Sequence, residues 1–240
     1  MFLRGIARAF EELTMSLPGE QLHVVYAGTG PLAPLVAPLL AFETWARATV
    51  TFIDIHPDSI AGVRRIVETL GSRGHEFVVA DATAYQHAGP IHLAISETMQ
   101  RALTVEPQVA IAANLAAQLH PRGVFVPSSI RIELCGEEAG GEAYPIATIL
   151  EVSVAAMRLR ELAPPCVVTI PATSARLFYR TTVHTHGEFA IQPGQSGITA
   201  PEYVWDLAGT EHGDVVRFWY EISARPGIRH ERTSGSVSLV

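Results

Sequence analysis

Four small or acidic residues stand at positions where this chain of 240 residues could bind a ligand. Gly28 and Gly30 close the apolar run QLHVVYAGTG, and without side chains they let backbone amides approach a ligand closely. Asp54 lies at the end of the run ATVTFIDI, and Asp81 follows the run HEFVVA. A carboxylate at the first position suits two ribose hydroxyls, and one at the second suits an adenine amino group. The sequence therefore predicts a site for an adenosine-containing ligand.

The glycine turn leaves other interpretations open. Its spacing also fits the dinucleotide fingerprint G-x-G-x-x-A, with Ala33 in the last position and Asp54 at about the expected distance. An NAD(P)-dependent oxidoreductase is therefore one alternative. A second alternative is a non-catalytic protein that keeps the fold and binds partner proteins through its C-terminal part.

The composition excludes several classes of function. All 17 basic residues are arginine, and without lysine there is no Schiff-base chemistry and no phosphate loop of the Gly-Lys-Ser/Thr type. The net charge of −7 argues against nucleic acid as a partner, because general binding to DNA or RNA needs basic surfaces. Cys135 and Cys166 lack the spacing of a zinc or disulfide framework, and His184 and His186 lack a third ligand, so we predict no metal site.

Targeting signals are not evident in the sequence. No stretch approaches the roughly 20 apolar residues that a membrane helix requires, and the N-terminus lacks the apolar core of a secretory signal. We therefore expect a cytoplasmic protein with no membrane partner.

An alternation of strands and helices must position the candidate residues. Short apolar runs alternate with segments whose apolar residues recur at helical spacing, which predicts a parallel sheet over residues 20–130 with helices on both faces. Ligands bind beyond the carboxyl ends of such strands, so Gly28, Asp54 and Asp81 should meet there. The predicted strands are 21–30, 48–55, 75–81, 91–97 and 123–134, and the predicted helices are 2–14, 31–42, 58–70 and 106–119.

The sequence pattern changes after about residue 133. Segments with period-2 alternation follow, separated by proline and glycine turns: CVVTIPA, ARLFYRTTVHTH, DVVRFWYEISA and SGSVSLV. They predict an antiparallel β domain, a barrel or a sandwich. We therefore divide the chain into a Rossmann-like α/β domain, residues 1–132 with a short N-terminal helix, and a β domain, residues 133–240, with an arm at 136–165.

The run SETMQRALTVE resembles the double-glutamate loop of protein arginine methyltransferases, a family of class I S-adenosylmethionine-dependent enzymes. That loop reads Ser-Glu-x-Met and has a second glutamate at the same separation, which corresponds here to Glu97 and Glu106. The run VVYAGTGPLAPLVAPLL resembles the family's S-adenosylmethionine motif, and HPRGVFVPSSIRIEL resembles the segment after the following helix. The resemblance covers roughly residues 20–134 and implies a Rossmann-like methyltransferase fold with a C-terminal β domain.

The resemblance implies roles for individual residues. Glu97 and Glu106 would bind the methyl acceptor, since two carboxylates can bind a guanidinium bidentately and orient one nitrogen. The residues expected to contact S-adenosylmethionine are Tyr26, Gly28, Thr29, Gly30, Asp54, Ile55, Asp81, Ala82, Ser96 and Glu97.

The acceptor and the assembly follow from the same resemblance. We expect N-methylation of a guanidino or amino group, in a small molecule or in an arginine of a protein. The family's Thr-His-Trp triplet and its N-terminal aromatic lid are not evident in this sequence, which favours a small acceptor over a protein. The family also implies a homodimer that forms through the arm at 136–165.

Overall fold

The computed structural model describes residues 1–138, 140–158, 162, 164–171, 176–207 and 210–233. Its N-terminal half alternates helices and strands, as the sequence pattern predicts. The elements in chain order are α1 (Phe2–Ser16), β1 (Leu22–Ala27), β2 (Ala48–Asp54), α2 (Pro57–Thr69), β3 (Glu76–Val79), β4 (Ile91–Ser96), α3 (Gln108–Ala116) and β5 (Leu119–Val126). The helix predicted over 106–119 is thus shorter at both ends, and it begins directly after Pro107.

The five strands form one parallel sheet in the order β3-β2-β1-β4-β5. The central strands β1 and β4 are almost entirely buried, as is typical of parallel strands that are covered on both faces. Helices α1 and α3 contact β4 and β5, whereas α2 contacts β2 and β3. The parallel sheet of the prediction is therefore confirmed.

The helix predicted over residues 31–42 is wrong. This segment forms a series of turns that ends in a short 3-10 helix, Leu39–Ala41. Pro31, Pro34 and Pro38 have no backbone N–H to donate, and Ala33 has a left-handed φ of 43°. Ala33, Val36, Ala37 and Leu39 still pack into the core, whereas Leu32 and Phe42 are exposed. The buried residues thus recur at helical spacing without forming a regular helix.

The single strand predicted over 123–134 is two strands. β5 ends at Val126 in the parallel sheet, and β6 (Ser129–Glu137) begins the antiparallel region. Pro127 lies between them, and because it has no N–H it cannot continue the hydrogen-bond ladder.

The C-terminal half contains two antiparallel sheets. After β6 come β7 (Ala143–Ser153), α4 (Val154–Arg158), β8 (Cys166–Thr169), β9 (Arg176–His186), β10 (Phe189–Ile191), β11 (Glu202–Tyr203), β12 (Val215–Glu221) and β13 (Gly227–Arg232). One sheet has the order β10-β9-β6-β7 with β11 paired to β9, and the other has the order β13-β12-β8. These sheets confirm an antiparallel β part after a Rossmann-like sheet.

The predicted arm, domain boundary and last strand can each be compared with the observed elements. The segment 136–165, predicted as an arm, contains β7, which pairs antiparallel with β6 along its length. A domain boundary after residue 132 falls within β6. The strand predicted in SGSVSLV, residues 234–240, lies outside the described residues. The division of the chain after residue 132 and the role of residues 136–165 as an arm stay predictions.

Two further findings concern the helices and the last strand. Within the described part of the chain, every helix is too short or too polar to cross a membrane. β13 was not predicted, because its sequence GIRHER is largely polar and partly exposed and does not alternate clearly.

The fully buried Leu93, in the central strand β4, allows a test of the core. Leu93→Ala should lower the free energy of unfolding by about 2–5 kcal/mol, because the parallel sheet leaves little room to collapse around the lost side chain. The matched control Leu32→Ala, at a position that is 65% exposed, should change it by about 0.5 kcal/mol or less. Denaturant unfolding would measure both, and equal effects would contradict the assigned burial.

Candidate functional site

A cavity of about 330 Å³ lies at the carboxyl ends of the parallel strands. Seven of the predicted site residues line it: Gly28, Asp54, Ile55, Asp81, Ala82, Glu97 and Glu106. The residues that the sequence reasoning did not assign to this wall are Ile53, His56, Ala80, Thr98, Pro107 and Ile111. The structure thus brings the glycine turn, two aspartates and two glutamates to one opening.

Asp54 joins the glycine turn to the start of α2. Its Oδ2 accepts a hydrogen bond of 2.9 Å from the Gly30 N–H, and its Oδ1 accepts one of 2.9 Å from the His56 N–H. Each carboxylate oxygen keeps a further lone pair for a ligand hydroxyl. Asp54 therefore positions two segments of the wall and can still accept from a ligand. Asp81, by contrast, is exposed, and its Oδ1 accepts from the N–H of Thr83 at 2.8 Å.

The glycine turn contacts the segment that carries the first glutamate. A Cβ on residue 28 would come within 2.0 Å of the Thr98 methyl group, and Gly28 also has a φ of 73°. A residue with a side chain fits neither that space nor that backbone conformation. Gly28 therefore allows two loops of the cavity wall to touch.

Four residues predicted to contact a cofactor are not part of the cavity lining, and three of them are buried: Tyr26, Thr29 and Ser96, with Gly30 partly exposed. Burial raises the pKa of the Tyr26 phenol, and the nearby Glu97 raises it further, so this side chain stays neutral. The Thr29 hydroxyl is buried and has no hydrogen-bond partner among the described residues. A buried hydroxyl without a partner, next to Gly28, is a site that a bound ligand or water could satisfy.

The two glutamates of the cavity affect each other electrostatically. Burial raises the pKa of Glu97 to about 7, and the negative charge of Glu106 adds to the shift. Because this pKa lies above its ordinary value, the folded protein loses stability as the pH rises from about 4.5 to about 7. A cation bound between the two carboxylates would remove this penalty. The pair is therefore suited to bind a positive charge.

Gln108, which the sequence did not indicate, holds the two residues on either side of Glu97. Its buried Oε1 accepts hydrogen bonds of 3.0 Å from the Ser96 hydroxyl, the Thr98 N–H and the Thr98 hydroxyl, and its Nε2 donates to the Ser96 carbonyl at 3.3 Å. These bonds tie the end of β4 to the first turn of α3. Ser96, which was expected to contact the cofactor, is buried and belongs to this network.

His56 is another missed residue with a polar side chain. It follows Asp54 by two positions, begins the turn before α2 and lines the cavity. Its position close to a strand end was the available signal in the sequence.

The histidines of the C-terminal half were considered as metal ligands. The His186 Nε2 lies 2.7 Å from the Glu12 carboxylate of α1, so this histidine pairs with α1. Among the residues that the structure describes, no three His, Cys, Asp or Glu side chains are placed to hold a metal ion.

The effect of Glu106 on Glu97 can be measured directly. In Glu106→Gln the Glu97 pKa should fall below about 7, because the neighbouring charge is lost, but it should remain above its ordinary value because burial persists. NMR titration of 13C-labelled glutamate side chains would follow it. Glu68→Gln, on the exposed face of α2, is the matched control and should leave the midpoint unchanged. An unchanged midpoint in Glu106→Gln would show that the two carboxylates are not coupled.

Comparisons with known proteins support the fold. No family model and no curated protein matches this sequence. Among solved structures, a chain from "Trypanosoma brucei PRMT1 enzyme-prozyme heterotetrameric complex with AdoHcy" is similar with a TM-score of 0.61 at 11% identity, over 96% of this chain and 94% of that chain. Arabidopsis thaliana Protein Arginine Methyltransferase 10 is similar with a TM-score of 0.58 at 12% identity, over 98% of this chain and 91% of that chain. The chain therefore has the fold of the protein arginine methyltransferases.

Proposed function

We propose that the protein is an S-adenosylmethionine-dependent methyltransferase that methylates a nitrogen of a guanidino or amino acceptor. The observation that carries the proposal is the meeting of the glycine turn, Asp54, Asp81, Glu97 and Glu106 in one cavity. The methyltransferase fold supports the reaction class, and one of the similar structures is a complex with AdoHcy.

The cavity fits the adenosine part of such a cofactor. Its volume of about 330 Å³ falls within the range of small-molecule sites, which is roughly 300–1,000 Å³. Asp54 has free lone pairs for the ribose hydroxyls, and the exposed Asp81 carboxylate can accept from an adenine amino group. Ala82 offers a small apolar surface beside Asp81 for the ring. We therefore assign cofactor contacts to the predicted residues of this wall.

Charge favours a cationic ligand over a dinucleotide. Four carboxylates line the cavity, and none of the described residues in its wall is an arginine. A pyrophosphate would also need the N-terminus of a helix after the glycine turn, and residues 31–38 form turns instead. Both observations weigh against the NAD(P)-dependent oxidoreductase and agree with a sulfonium cofactor and a cationic acceptor.

The chain's own residues would orient the acceptor and take up its proton. S-adenosylmethionine, when bound, supplies a methyl group on a positively charged sulfur. Glu97 and Glu106 would bind the acceptor cation on opposite sides of one nitrogen and so align it for transfer. That nitrogen loses a proton when it gains the methyl group, and the carboxylate of Glu97, whose pKa burial raises above its ordinary value in the free protein, would accept it.

The acceptor class and the assembly are finer parts of the proposal. A small guanidino or amino compound and an arginine in a protein both fit a pair of carboxylates, and both of the similar structures are named as arginine methyltransferases. We also propose a homodimer through residues 136–165, which analytical ultracentrifugation would detect as twice the mass of 25.9 kDa.

Cofactor binding can be tested with S-adenosylhomocysteine in a calorimeter. Asp54→Ala should weaken binding by roughly 10- to 100-fold, because it removes a charged acceptor from the ligand and frees the Gly30 and His56 amides that shape the wall. Asp58→Ala, on the exposed first turn of α2, is the matched control and should bind as the unaltered protein does. If the unaltered protein shows no binding at millimolar ligand, the cofactor assignment is wrong.

Methyl transfer can be tested with radioactive S-adenosylmethionine and three acceptors: free arginine, agmatine and an arginine-containing peptide. Glu97→Gln and Glu106→Gln should each lower turnover by roughly 100-fold or more while S-adenosylhomocysteine still binds, because each removes one charge that orients the acceptor. Glu68→Gln is again the control. Full activity in both single variants would overturn the acceptor role, and cofactor binding without transfer to any acceptor would favour the non-catalytic alternative.

A further inference from the structure

The segment between the two glutamates, residues 98–105, has an unfavourable backbone. Ala102, Leu103 and Val105 have left-handed φ values of 53°, 54° and 69°. Residues with a Cβ seldom adopt this conformation, and a β-branched valine does so least of all. Such backbone persists where surrounding contacts hold it, and it often does so next to functional sites. Contacts from outside the segment must therefore be identified.

The holding contacts come from the C-terminal half, from β12, β13 and the turn that joins them, which we call the β12–β13 hairpin (residues 215–232). The Tyr220 hydroxyl of β12 donates to the Leu103 carbonyl at 2.9 Å. The Val105 N–H donates to the Pro226 carbonyl of the hairpin turn, also at 2.9 Å. Both bonds attach to left-handed residues, and Glu106 follows Val105 directly.

The Tyr220 bond lies in a dry environment. Tyr220 and Leu103 are both buried, and burial raises the pKa of the Tyr220 phenol to about 12, so the hydroxyl remains a donor at any physiological pH. Water cannot readily replace a buried hydrogen bond of this kind. A third contact lies at the surface and comes from β11, where the Glu202 carboxylate is 3.3 Å from the Arg101 guanidinium.

We propose that the β12–β13 hairpin is a positioning device for the acceptor site, in which the Tyr220 hydroxyl and the Pro226 carbonyl hold Glu106 opposite Glu97. Neither residue lines the cavity, so both act through the backbone of residues 103–105. The acceptor side of this inference rests on the proposed function, whereas the geometry of the loop can be tested without any ligand. Loss of the Tyr220 bond lets the segment relax, and the carboxylate of Glu106 then moves away from that of Glu97.

Tyr220→Phe is the test variant, and Tyr179→Phe is a matched control. Both tyrosines are buried in the C-terminal sheets, and the Tyr179 hydroxyl has no hydrogen-bond partner among the described residues. The two variants therefore lose the same atom, but Tyr220→Phe alone releases the Leu103 carbonyl. Thermal unfolding of both would confirm that each variant is folded.

Two measurements on the ligand-free protein decide the inference. Amide hydrogen exchange at Val105 should become about fivefold to tenfold faster in Tyr220→Phe, as expected when one buried hydrogen bond is lost, and should stay unchanged in Tyr179→Phe. The Glu97 titration should also shift below a midpoint of about 7. Burial would still raise this pKa, but the added effect of the Glu106 charge would weaken, and the phenol of Tyr26 stays neutral. Unchanged exchange and an unchanged midpoint in Tyr220→Phe would overturn the inference.

Kinetics would connect the device to the reaction. With an acceptor that is methylated, Tyr220→Phe should raise KM for the acceptor or lower kcat, and it should leave the Kd for S-adenosylhomocysteine unchanged. Absence of methyl transfer by the unaltered protein would overturn the proposed function, while the exchange and titration results would still decide the positioning role. An altered Kd for S-adenosylhomocysteine would contradict an effect confined to the acceptor side.

Discussion

The candidate site depends on holding two carboxylates together in a partly buried cavity. Glu97 and Glu106 repel each other when both are charged, and burial raises the pKa of Glu97 as well. A flexible loop would relieve this cost by moving one glutamate into water. The structure prevents that movement from two sides, since the Gln108 amide holds the base of the loop and the β12–β13 hairpin holds its far end. A cation bound between the two carboxylates would reduce the repulsion that remains and so stabilise the folded protein.

The same cavity has a second fixed point at Asp54. Its two carboxylate oxygens accept from the amides of Gly30 and His56, so the turn after β1 and the start of α2 are held by one side chain. The Thr98 methyl group lies against Gly28, which brings the segment after Glu97 into contact with the glycine turn. The two halves of the site therefore share a contact, and a change at Gly28 would disturb both.

Much of this arrangement follows from local patterns in the sequence. Buried parallel strands produce apolar runs, and the polar residue after each run marks an end of the sheet, which is why Asp54, Asp81 and Glu97 could be placed together before the structure was known. Residues 31–42 show the limit of pattern reasoning, because apolar spacing alone does not distinguish a helix from packed turns that contain three prolines.

Contacts between residues that are distant in the chain could not be predicted from the sequence. Tyr220 follows Leu103 by 117 positions, and no local signal links a β12 tyrosine to a loop in the other half of the chain. Gln108 resembled an ordinary residue in the first turn of a helix until its bonds to Ser96 and Thr98 were visible. Polar side chains that line the cavity thus follow strand ends and can be found in the sequence, whereas the side chains that position them depend on the completed fold.

The acidic charge of the chain agrees with the acidic lining of the cavity. A lysine-free protein with a net charge of −7 presents four carboxylates to one cavity, and no described residue of the wall is an arginine that could neutralise them. Such a cavity attracts a sulfonium and a guanidinium alike, and binding of either removes part of the repulsion. In the proposed reaction the sulfur becomes neutral once the methyl group has been transferred, so its attraction to the carboxylates would weaken. The carboxylate excess would therefore favour binding of the charged cofactor over retention of its neutral product.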